Sequence, residues 1–225
     1  EIYKQSKYIN ITCLSVHIGS QITSHKPYEK MINVIDSLIN RSKYKFKYID
    51  LGGGMGIKYS KKDKNLNYNK YLKKIKIFLK DKDSKIIFEP GRVIIGNSGF
   101  ILSKVIYVKN TSKKNFIIID TAMNDLLRPA LYGAKHKILV AKKSKKYIEK
   151  NHEFVGPICE TSDKFLNINK FQMLKKGDLL VICDVGAYGM VLSSNYNMRP
   201  KIPEILVSGS KTKIIRKRQK LQELI

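Results

Sequence analysis

The chain has 225 residues, of which 43% are hydrophobic and 28% are charged, and its formal net charge at pH 7 is +26. This composition is typical of a globular protein long enough to bury a core, and it excludes a disordered chain. No apolar run approaches the roughly 18 residues that a membrane-spanning helix needs, so no membrane span is expected.

The first part of the chain alternates strand-like and helix-like segments. β-branched runs at 11–20, 46–57 and 85–92 end in glycine or in tight turns, and helical spacing of apolar residues marks 27–43 and 69–81. Such alternation predicts parallel β/α units. Functional groups in these folds lie at the carboxyl ends of the strands, where this sequence places His17, three glycines at 52–54 and Glu89.

After about residue 97 the pattern changes to short strand candidates separated by turns. Helical periodicity is scarce there until the C-terminal tail, so a mostly antiparallel β domain is expected, with a boundary near 97–103. The fold class predicted is therefore α/β plus β. The strand candidates are SGFILSKVIYVKN, KNFIIIDTAMND, HKILVAKK, YIEKNHEFVGPIC, GDLLVICDVG and EILVSGS.

The positive charge makes nucleic acid the first partner to consider, because lysine and arginine neutralise phosphates. The lysines are spread among Asn, Ile and Tyr, however, and only the tail at 211–220 is dense. A Lys-biased surface is therefore favoured over a nucleic-acid face. Because lysine is the default cation, each arginine is a candidate for a site that needs a planar, bidentate donor. The arginines are Arg41, Arg92, Arg128, Arg199, Arg216 and Arg218.

The cysteines are three in number and widely spaced: Cys13, Cys159 and Cys183. This arrangement supports neither a disulfide framework nor a zinc site, and no metal is expected. A reduced, cytoplasmic location is therefore expected. The opening residues 1–4 also lack the basic-then-apolar order of a secretory signal. Cys159 lies directly beside Glu160 in a turn marked by Gly and Pro, which fits either a small buried cysteine or a catalytic thiol.

The glycine-rich turn LGGGMGI, which includes Gly53 and Gly54, follows the second strand. Glycines permit positive φ and let backbone N–H groups approach a phosphate closely. The spacing matches neither a P-loop nor GxGxxG, so a phosphate site and a tight structural turn both stay open.

Two further strand ends carry polar groups. EPGR offers Glu89 as an acid and Gly91 with Arg92 as donors to an anion. HIGSQ offers the imidazole of His17 and the hydroxyl of Ser20. Each alone fits a surface carboxylate or a structural histidine. Together they suit a cofactor with a phosphate on one side and a basic ring nitrogen on the other, such as pyridoxal 5'-phosphate.

These motifs, with others further along, resemble the diaminopimelate decarboxylase family of alanine-racemase-like, fold-type III pyridoxal-phosphate enzymes. The matching segments occur in the family's order and cover nearly the whole chain. They are HIGSQI, IDLGGGMGIKY, EPGRVIIGNSG, DTAMNDLLRPALYGAKHKI, VGPICETSDKF and GAYGMVLSSNYNMRPKIPEILV.

The resemblance implies the C-terminal part of a (β/α)8 barrel at 1–97 and a β-barrel or sandwich domain with a short terminal helix at 98–225. It implies a cofactor site in which His17 stacks on the ring, Glu89 pairs with the ring nitrogen, and Ser20 and the glycine turn bind phosphate. The cofactor-binding set it implies is His17, Ser20, Gly53, Gly54, Glu89, Gly91, Arg92 and Tyr188. The substrate-binding set is Arg92, Arg128, Tyr132, Glu160 and Tyr188.

The implied reaction is decarboxylation of meso-diaminopimelate to L-lysine in lysine biosynthesis. An arginine fork suits the distal carboxylate of this substrate, and Glu160 suits its distal ammonium. Cys159 would then be the proton donor that acts after CO₂ leaves. In this family the Cys–Glu loop reaches into the partner subunit's site, so a homodimer is implied.

The chain also departs from the family pattern. The family's cofactor lysine lies in an upstream YAxKAN-like motif that this chain lacks, and a complete barrel takes about 250 residues. The chain therefore resembles a C-terminal portion that starts within the barrel and is expected to be inactive alone. Ser162 stands where the family usually has Gly, and Thr121 where Ala is usual. Alternatives are a related ornithine, arginine or carboxynorspermidine decarboxylase, a basic nucleic-acid binder, or a decayed remnant.

Overall fold

The structure is a computed structural model that describes residues 7–60, 63–142 and 146–225. The chain divides into two compact units, which we name the β/α unit (Glu1–Ile95) and the sheet unit (Gly96–Ile225). The assignment of 1–97 to a barrel and of 98–225 to a separate β domain stays a prediction.

The β/α unit contains three parallel strands in the order β1-β2-β3, with a helix in each of the two connections. This arrangement confirms the parallel β/α units predicted from the alternating pattern. That the strands belong to a (β/α)8 barrel stays a prediction. The elements are β1 (Cys13–Ser15), α1 (Lys26–Ser42), β2 (Tyr48–Asp50), α2 (Tyr68–Leu79), β3 (Lys85–Ile87) and the short α3 (Arg92–Ile95).

The two long helices form where the sequence supplies both an apolar face and end signals. Helix α1 has proline in its first turn and buries Met31 and Ile35 on one face, and the residue that follows it, Lys43, adopts the left-handed conformation. Helix α2 begins at Asn67, whose side chain accepts a hydrogen bond from the Lys70 N–H at 3.0 Å. Each helix therefore has one face that packs into the core beside the strands.

Two tyrosines lie at the centre of this core. Tyr28 and Tyr71 are fully buried, and their ring centroids are 4.5 Å apart. The Tyr28 hydroxyl donates to the Gly53 carbonyl oxygen at 3.1 Å. The Tyr71 hydroxyl has no hydrogen-bond partner among the residues that the structure describes. Burial raises the pKa of Tyr28 to about 12 and also raises the pKa of Tyr71, so both phenols stay protonated at neutral pH.

The sheet unit is built on a six-stranded mixed sheet in the order β6-β9-β4-β5-β7-β8. β5 and β7 pair in parallel and every other pairing in this sheet is antiparallel, which confirms a mostly antiparallel β region. The elements are β4 (Phe100–Asn110), β5 (Lys114–Ile119), α4 (Arg128–Tyr132), β6 (Ile138–Val140), β7 (Tyr147–Val155), β8 (Lys164–Gln172) and β9 (Leu179–Cys183).

The C-terminal tail is mostly strand and ends in a short helical turn. Strands β10 (Glu204–Ser208) and β11 (Lys211–Arg216) form an antiparallel hairpin, and only a 3-10 turn at Leu221–Leu224 is helical. The dense basic stretch of the tail is thus largely an exposed strand. The candidate strand HKILVAKK is observed as β6, and its last lysine, with residues 144–145, lies outside the described residues.

The core of the sheet unit consists of apolar side chains from the inner faces of its strands, including Val105, Ile119, Phe154 and Leu180. Within the described ranges, none of the helices combines the length and the apolar character needed to cross a membrane. The same residues contain no group of three or more His, Cys, Asp or Glu side chains placed to hold a metal ion.

Candidate active site

The loops at the carboxyl ends of β1, β2 and β3 approach one another backbone to backbone. A Cβ atom added at Gly53 would lie 2.1 Å from the Glu89 carbonyl oxygen, so only glycine allows this approach. The Glu89 N–H donates to the Gly52 carbonyl at 2.9 Å, and the Ile22 N–H donates to the Gly54 carbonyl at 2.9 Å. The glycine turn is therefore a tight structural junction, and its binding of phosphate stays a prediction.

His17 and Asp50 complete this junction. The Gly53 N–H donates to Nδ1 of His17 at 3.4 Å, which requires that nitrogen to be unprotonated. The buried carboxylate of Asp50 accepts from the Gly52 N–H at 2.8 Å and from the Ser15 hydroxyl at 3.2 Å. The role of Asp50 was missed in the sequence, although an aspartate directly before a glycine turn is a recognisable turn signal.

A guanidinium and a hydroxyl meet at the ends of β1 and β3. Arg92 donates from one nitrogen to Ser20 Oγ at 3.1 Å and from another to the Tyr59 hydroxyl at 2.6 Å. Ser20 and the neighbouring Gly91 are exposed, and Arg92 is half-buried. The structure thus brings together two of the predicted anion-binding groups, separated by 72 positions in the sequence.

The chemistry of this donor set fits pyridoxal phosphate. Arg92 and Ser20 can hold a phosphate, the exposed carboxylate of Glu89 can pair with a protonated ring nitrogen, and the exposed imidazole of His17 can lie against a ring. The backbone contacts of Gly53 tie His17 and Glu89 to the same junction. Groups suited to both ends of the cofactor therefore belong to one unit.

Cys159 and Glu160 lie in the loop between β7 and β8, and both are exposed. This exposure argues against the alternative of a small buried cysteine. One carboxylate oxygen of Glu160 accepts from the Tyr196 hydroxyl at 3.4 Å. Ser162 has no positive φ, so this loop does not need the glycine that the family usually has at that position.

Arg128 begins helix α4 and is only 5% exposed. It donates to Nε2 of His136 at 2.9 Å, and Nδ1 of His136 then carries a proton that it donates to the Cys183 carbonyl at 2.9 Å. His136 is itself 1% exposed. These two hydrogen bonds fix the orientation of the guanidinium. In the sequence, nothing marked His136 beyond its place in the RPALYGAKH segment.

The two predicted tyrosines of the sheet unit are both exposed. Tyr132 ends helix α4 with 68% of its surface exposed. Tyr188 is 45% exposed and has a φ of 59°, in the left-handed region that an aromatic residue rarely adopts. Strained backbone of this kind concentrates at functional sites. This strain supports a functional role for Tyr188.

Arg199 uses its planar guanidinium to bond to two residues of another segment in the sheet unit. Its Nε donates to Asn124 Oδ1 at 2.9 Å, and a terminal nitrogen donates to the Asp120 carbonyl at 2.7 Å. The buried carboxylate of Asp125 lies 3.7 Å from the same guanidinium. Arg199 therefore connects the segment before Arg128 to the segment after Tyr188, as the rarity of arginine in this chain suggested.

Comparison with known proteins gives the family. A family model described as the pyridoxal-dependent decarboxylase C-terminal sheet domain matches residues 11–186. The diaminopimelate decarboxylase of Aquifex aeolicus is 39% identical over 223 residues, which are 96% of this chain and 52% of that protein. The chain thus spans about half the length of the curated relatives it matches.

Solved structures agree. Diaminopimelate decarboxylase from Helicobacter pylori, in complex with L-lysine, matches with a TM-score of 0.90 and 35% identity over 99% of this chain and 56% of that one. The enzyme from M. jannaschii also matches with a TM-score of 0.90, at 30% identity over 99% of this chain and 53% of that one. The resemblance seen in the motifs is confirmed, and the chain belongs to the pyridoxal-dependent decarboxylases.

Proposed function

We propose that the chain supplies the C-terminal half of a carboxy-lyase that converts meso-diaminopimelate to L-lysine and CO₂ in lysine biosynthesis. The observation that carries this proposal is the exposed Cys159–Glu160 pair together with the buried, His136-held fork of Arg128. Both occur in a chain that is 39% identical to diaminopimelate decarboxylases. In this proposal residues 1–97 form part of a (β/α)8 barrel and 98–225 form the β domain.

The β/α unit is proposed to hold the cofactor. Pyridoxal phosphate, when bound, supplies the electron sink that makes loss of CO₂ from an amino acid feasible. Arg92, Ser20 and the glycine turn with Gly53 and Gly54 would bind its phosphate, and Gly91 would lie beside them. Glu89 would pair with the ring nitrogen, His17 would lie on the ring face, and Tyr188 of the sheet unit would add a further contact.

The sheet unit is proposed to recognise the substrate. Arg128 would bind a carboxylate with its planar fork, for which its orientation is already fixed by His136. Glu160 would pair with the distal ammonium of the substrate, with Tyr132, Tyr188 and Arg92 as further contacts. A substrate with both a distal carboxylate and a distal ammonium satisfies both charges.

Cys159 is proposed as the proton donor. Its thiol is exposed at the tip of a loop, where it can deliver a proton to the carbon from which CO₂ has left. The loop is proposed to act in the site of a second copy, so the enzyme would be a homodimer. All three cysteines are free thiols, which supports the proposed cytoplasmic location.

Ornithine, arginine and carboxynorspermidine are the competing substrates. Ornithine has no distal carboxylate, so it would leave the fork of Arg128 without its partner at that end. The test uses a complete enzyme, made by joining this chain to the N-terminal half of its Aquifex aeolicus relative. We expect CO₂ release from meso-diaminopimelate and little from the rivals.

The 225-residue chain alone is the control and is expected to be inactive, because it lacks the family's cofactor lysine motif. Turnover of ornithine without turnover of diaminopimelate would overturn the substrate assignment. Activity of the chain alone would contradict the need for the upstream segment.

A further inference from the structure

The Cys159–Glu160 loop closes on a single buried carboxylate, that of Asp163. Asp163 is 2% exposed. One of its oxygens accepts from the Ile158 N–H at 2.9 Å, and the other accepts from the Met123 N–H at 2.8 Å. Ile158 directly precedes Cys159, whereas Met123 belongs to the segment that leads into Arg128. The two oxygens of one side chain therefore hold the backbones of two separate loops.

Backbone bonds make this arrangement rigid. The Gly156 N–H donates to the Asp163 carbonyl at 3.0 Å, and the Asp163 N–H donates to the Glu160 carbonyl at 3.1 Å. A Cβ added at Gly156 would lie 2.2 and 2.4 Å from the two carboxylate oxygens of Asp163. The glycine is therefore required for the carboxylate to reach both N–H groups.

Burying the carboxylate of Asp163 would cost free energy if its oxygens had no hydrogen bonds. Burial raises the pKa of its carboxyl, while the N–H bonds from Ile158 and Met123 and the charge of Arg199 oppose that rise. A carboxylate is tolerated in such a place only when its oxygens are hydrogen-bonded, and here both are. None of the proposed catalytic steps uses this side chain, so its buried position and its two hydrogen bonds point to a different role.

We propose that Asp163 is a positioning residue that fixes Cys159 and Glu160 relative to the segment bearing Arg128, by holding the amides of Ile158 and Met123. The role of the positioned groups rests on the proposed function. The two hydrogen bonds of Asp163 can be tested on the chain itself, without an activity measurement.

The first experiment compares amide hydrogen exchange in the wild-type chain and in Asp163→Asn. An asparagine keeps one acceptor but turns an N–H₂ donor towards the second amide, so at least one bond is lost. We expect exchange at Ile158 and Met123 to be at least tenfold faster, with unchanged exchange in β7 and β8. The matched control is Asp178→Asn, since Asp178 accepts from the Lys175 N–H at 2.8 Å in another turn of the same sheet.

Global destabilisation would speed exchange throughout β7 and β8 as well, and that pattern would overturn a positioning role. If Asp163→Asn fails to fold, two measurements remain. Slow exchange at Ile158 and Met123 in the wild type is required, and unprotected amides there would overturn the proposal. Gly156→Ala keeps the carboxylate but displaces it, and is expected to speed exchange at both amides.

In the complete enzyme, Asp163→Asn is expected to lower kcat at least tenfold relative to Asp178→Asn. Fast exchange at both amides with an unchanged kcat would overturn the positioning role. Failure of the proposed function is seen separately, as absence of diaminopimelate turnover by the wild-type enzyme. The exchange results do not depend on that outcome.

Discussion

The two units arrange their candidate binding groups by different physical means. In the β/α unit, backbone meets backbone at glycine, and the loops carrying His17 and Glu89 are joined where a side chain could not fit. In the sheet unit, buried polar side chains such as Asp163 and Arg199 hold one loop to another. The first arrangement is vulnerable to added atoms, and the second to the removal of a hydrogen-bonding group.

The contrast extends to the exposure of the functional groups. His17, Ser20 and Glu89 are exposed on a rigid junction, which suits a cofactor that stays bound. In the sheet unit, Arg128 is buried and held by His136, whereas Cys159 is exposed on a loop. A fixed orientation suits the proposed role of Arg128 in substrate binding, and exposure suits the proposed role of Cys159 as proton donor.

The largest expected effect is a fall in kcat when the exposed thiol of Cys159 is removed. In the complete enzyme, Cys159→Ala is expected to lower kcat by about 10²–10⁴-fold, the usual worth of a general acid. Substrate binding should change little, because the thiol is not proposed to read either end of the substrate. Steady-state kinetics with diaminopimelate measures both parameters.

The control for the thiol is Cys183→Ala, which changes a free cysteine of the same unit and should leave kcat within about twofold on the scale of a residue outside the chemistry. If Cys159→Ala retains full kcat while Glu160→Ala abolishes it, Glu160 is the proton donor instead.

The next effect tests the glycine junction by adding one atom. Gly53→Ala places a methyl group against the Glu89 carbonyl, which has no rotamer by which to move away, so a loss of about 3 kcal/mol in unfolding free energy is expected. Urea unfolding of the chain measures it. Gly209→Ala is the control for backbone strain alone, because its φ is positive and its Cβ would meet nothing within 4 Å, whereas Gly53 has no positive φ. A loss at Gly53 no larger than the loss at Gly209 would contradict the conclusion that close approach of the Glu89 carbonyl requires glycine at position 53.

A smaller change tests the fork of Arg128. Arg128→Lys keeps the charge but loses the planar fork that bonds to His136, so binding should weaken by about 1.5–3 kcal/mol, the worth of a hydrogen bond to a charged group. KM for diaminopimelate should then rise about tenfold or more if ground and transition states use the contact equally. The exposed Arg41 supplies the control, Arg41→Lys, which should not alter KM. A fall in kcat with unchanged KM would contradict a role in ground-state binding.

The parts of the fold that sequence predicted are those set by local pattern. Helix α1 was predicted because its apolar residues repeat at helical spacing after a proline. The same apolar face packs into the core, so tertiary contacts agree with the local pattern. Strand β8 was missed because only Phe165 and Phe171 along it are buried and its middle is polar. Its pairing with β7 contains register shifts, which interrupt the alternation that marks a strand.

The candidate site also contains residues that could be predicted from the sequence and residues that could not. The family resemblance of the motifs identified the groups proposed to meet the cofactor and substrate. The groups that hold them could not be identified, since their importance depends on distant partners: Asp163 on Met123, and His136 on the Cys183 carbonyl 47 positions away. A buried polar residue reveals such a role only when its hydrogen bonds are known.

The smallest expected effect is a difference in stability between two variants of the β/α unit, one that loses a hydrogen-bonded tyrosine hydroxyl and one that loses a buried hydroxyl without a bond. Tyr28→Phe removes the hydroxyl that donates to the Gly53 carbonyl and should lower the unfolding free energy by about 1 kcal/mol. Tyr71→Phe is a matched control, because the ring of Tyr71 packs against that of Tyr28. The buried hydroxyl of Tyr71 has no hydrogen-bond partner among the described residues. Removing that hydroxyl deletes a buried polar group and should leave stability unchanged or higher. Urea unfolding of both variants measures the difference, and in the complete enzyme only Tyr28→Phe should also weaken retention of pyridoxal phosphate. If the two variants lose the same stability, the bond from Tyr28 does not support the glycine junction, and close packing alone holds the loops of the β/α unit together.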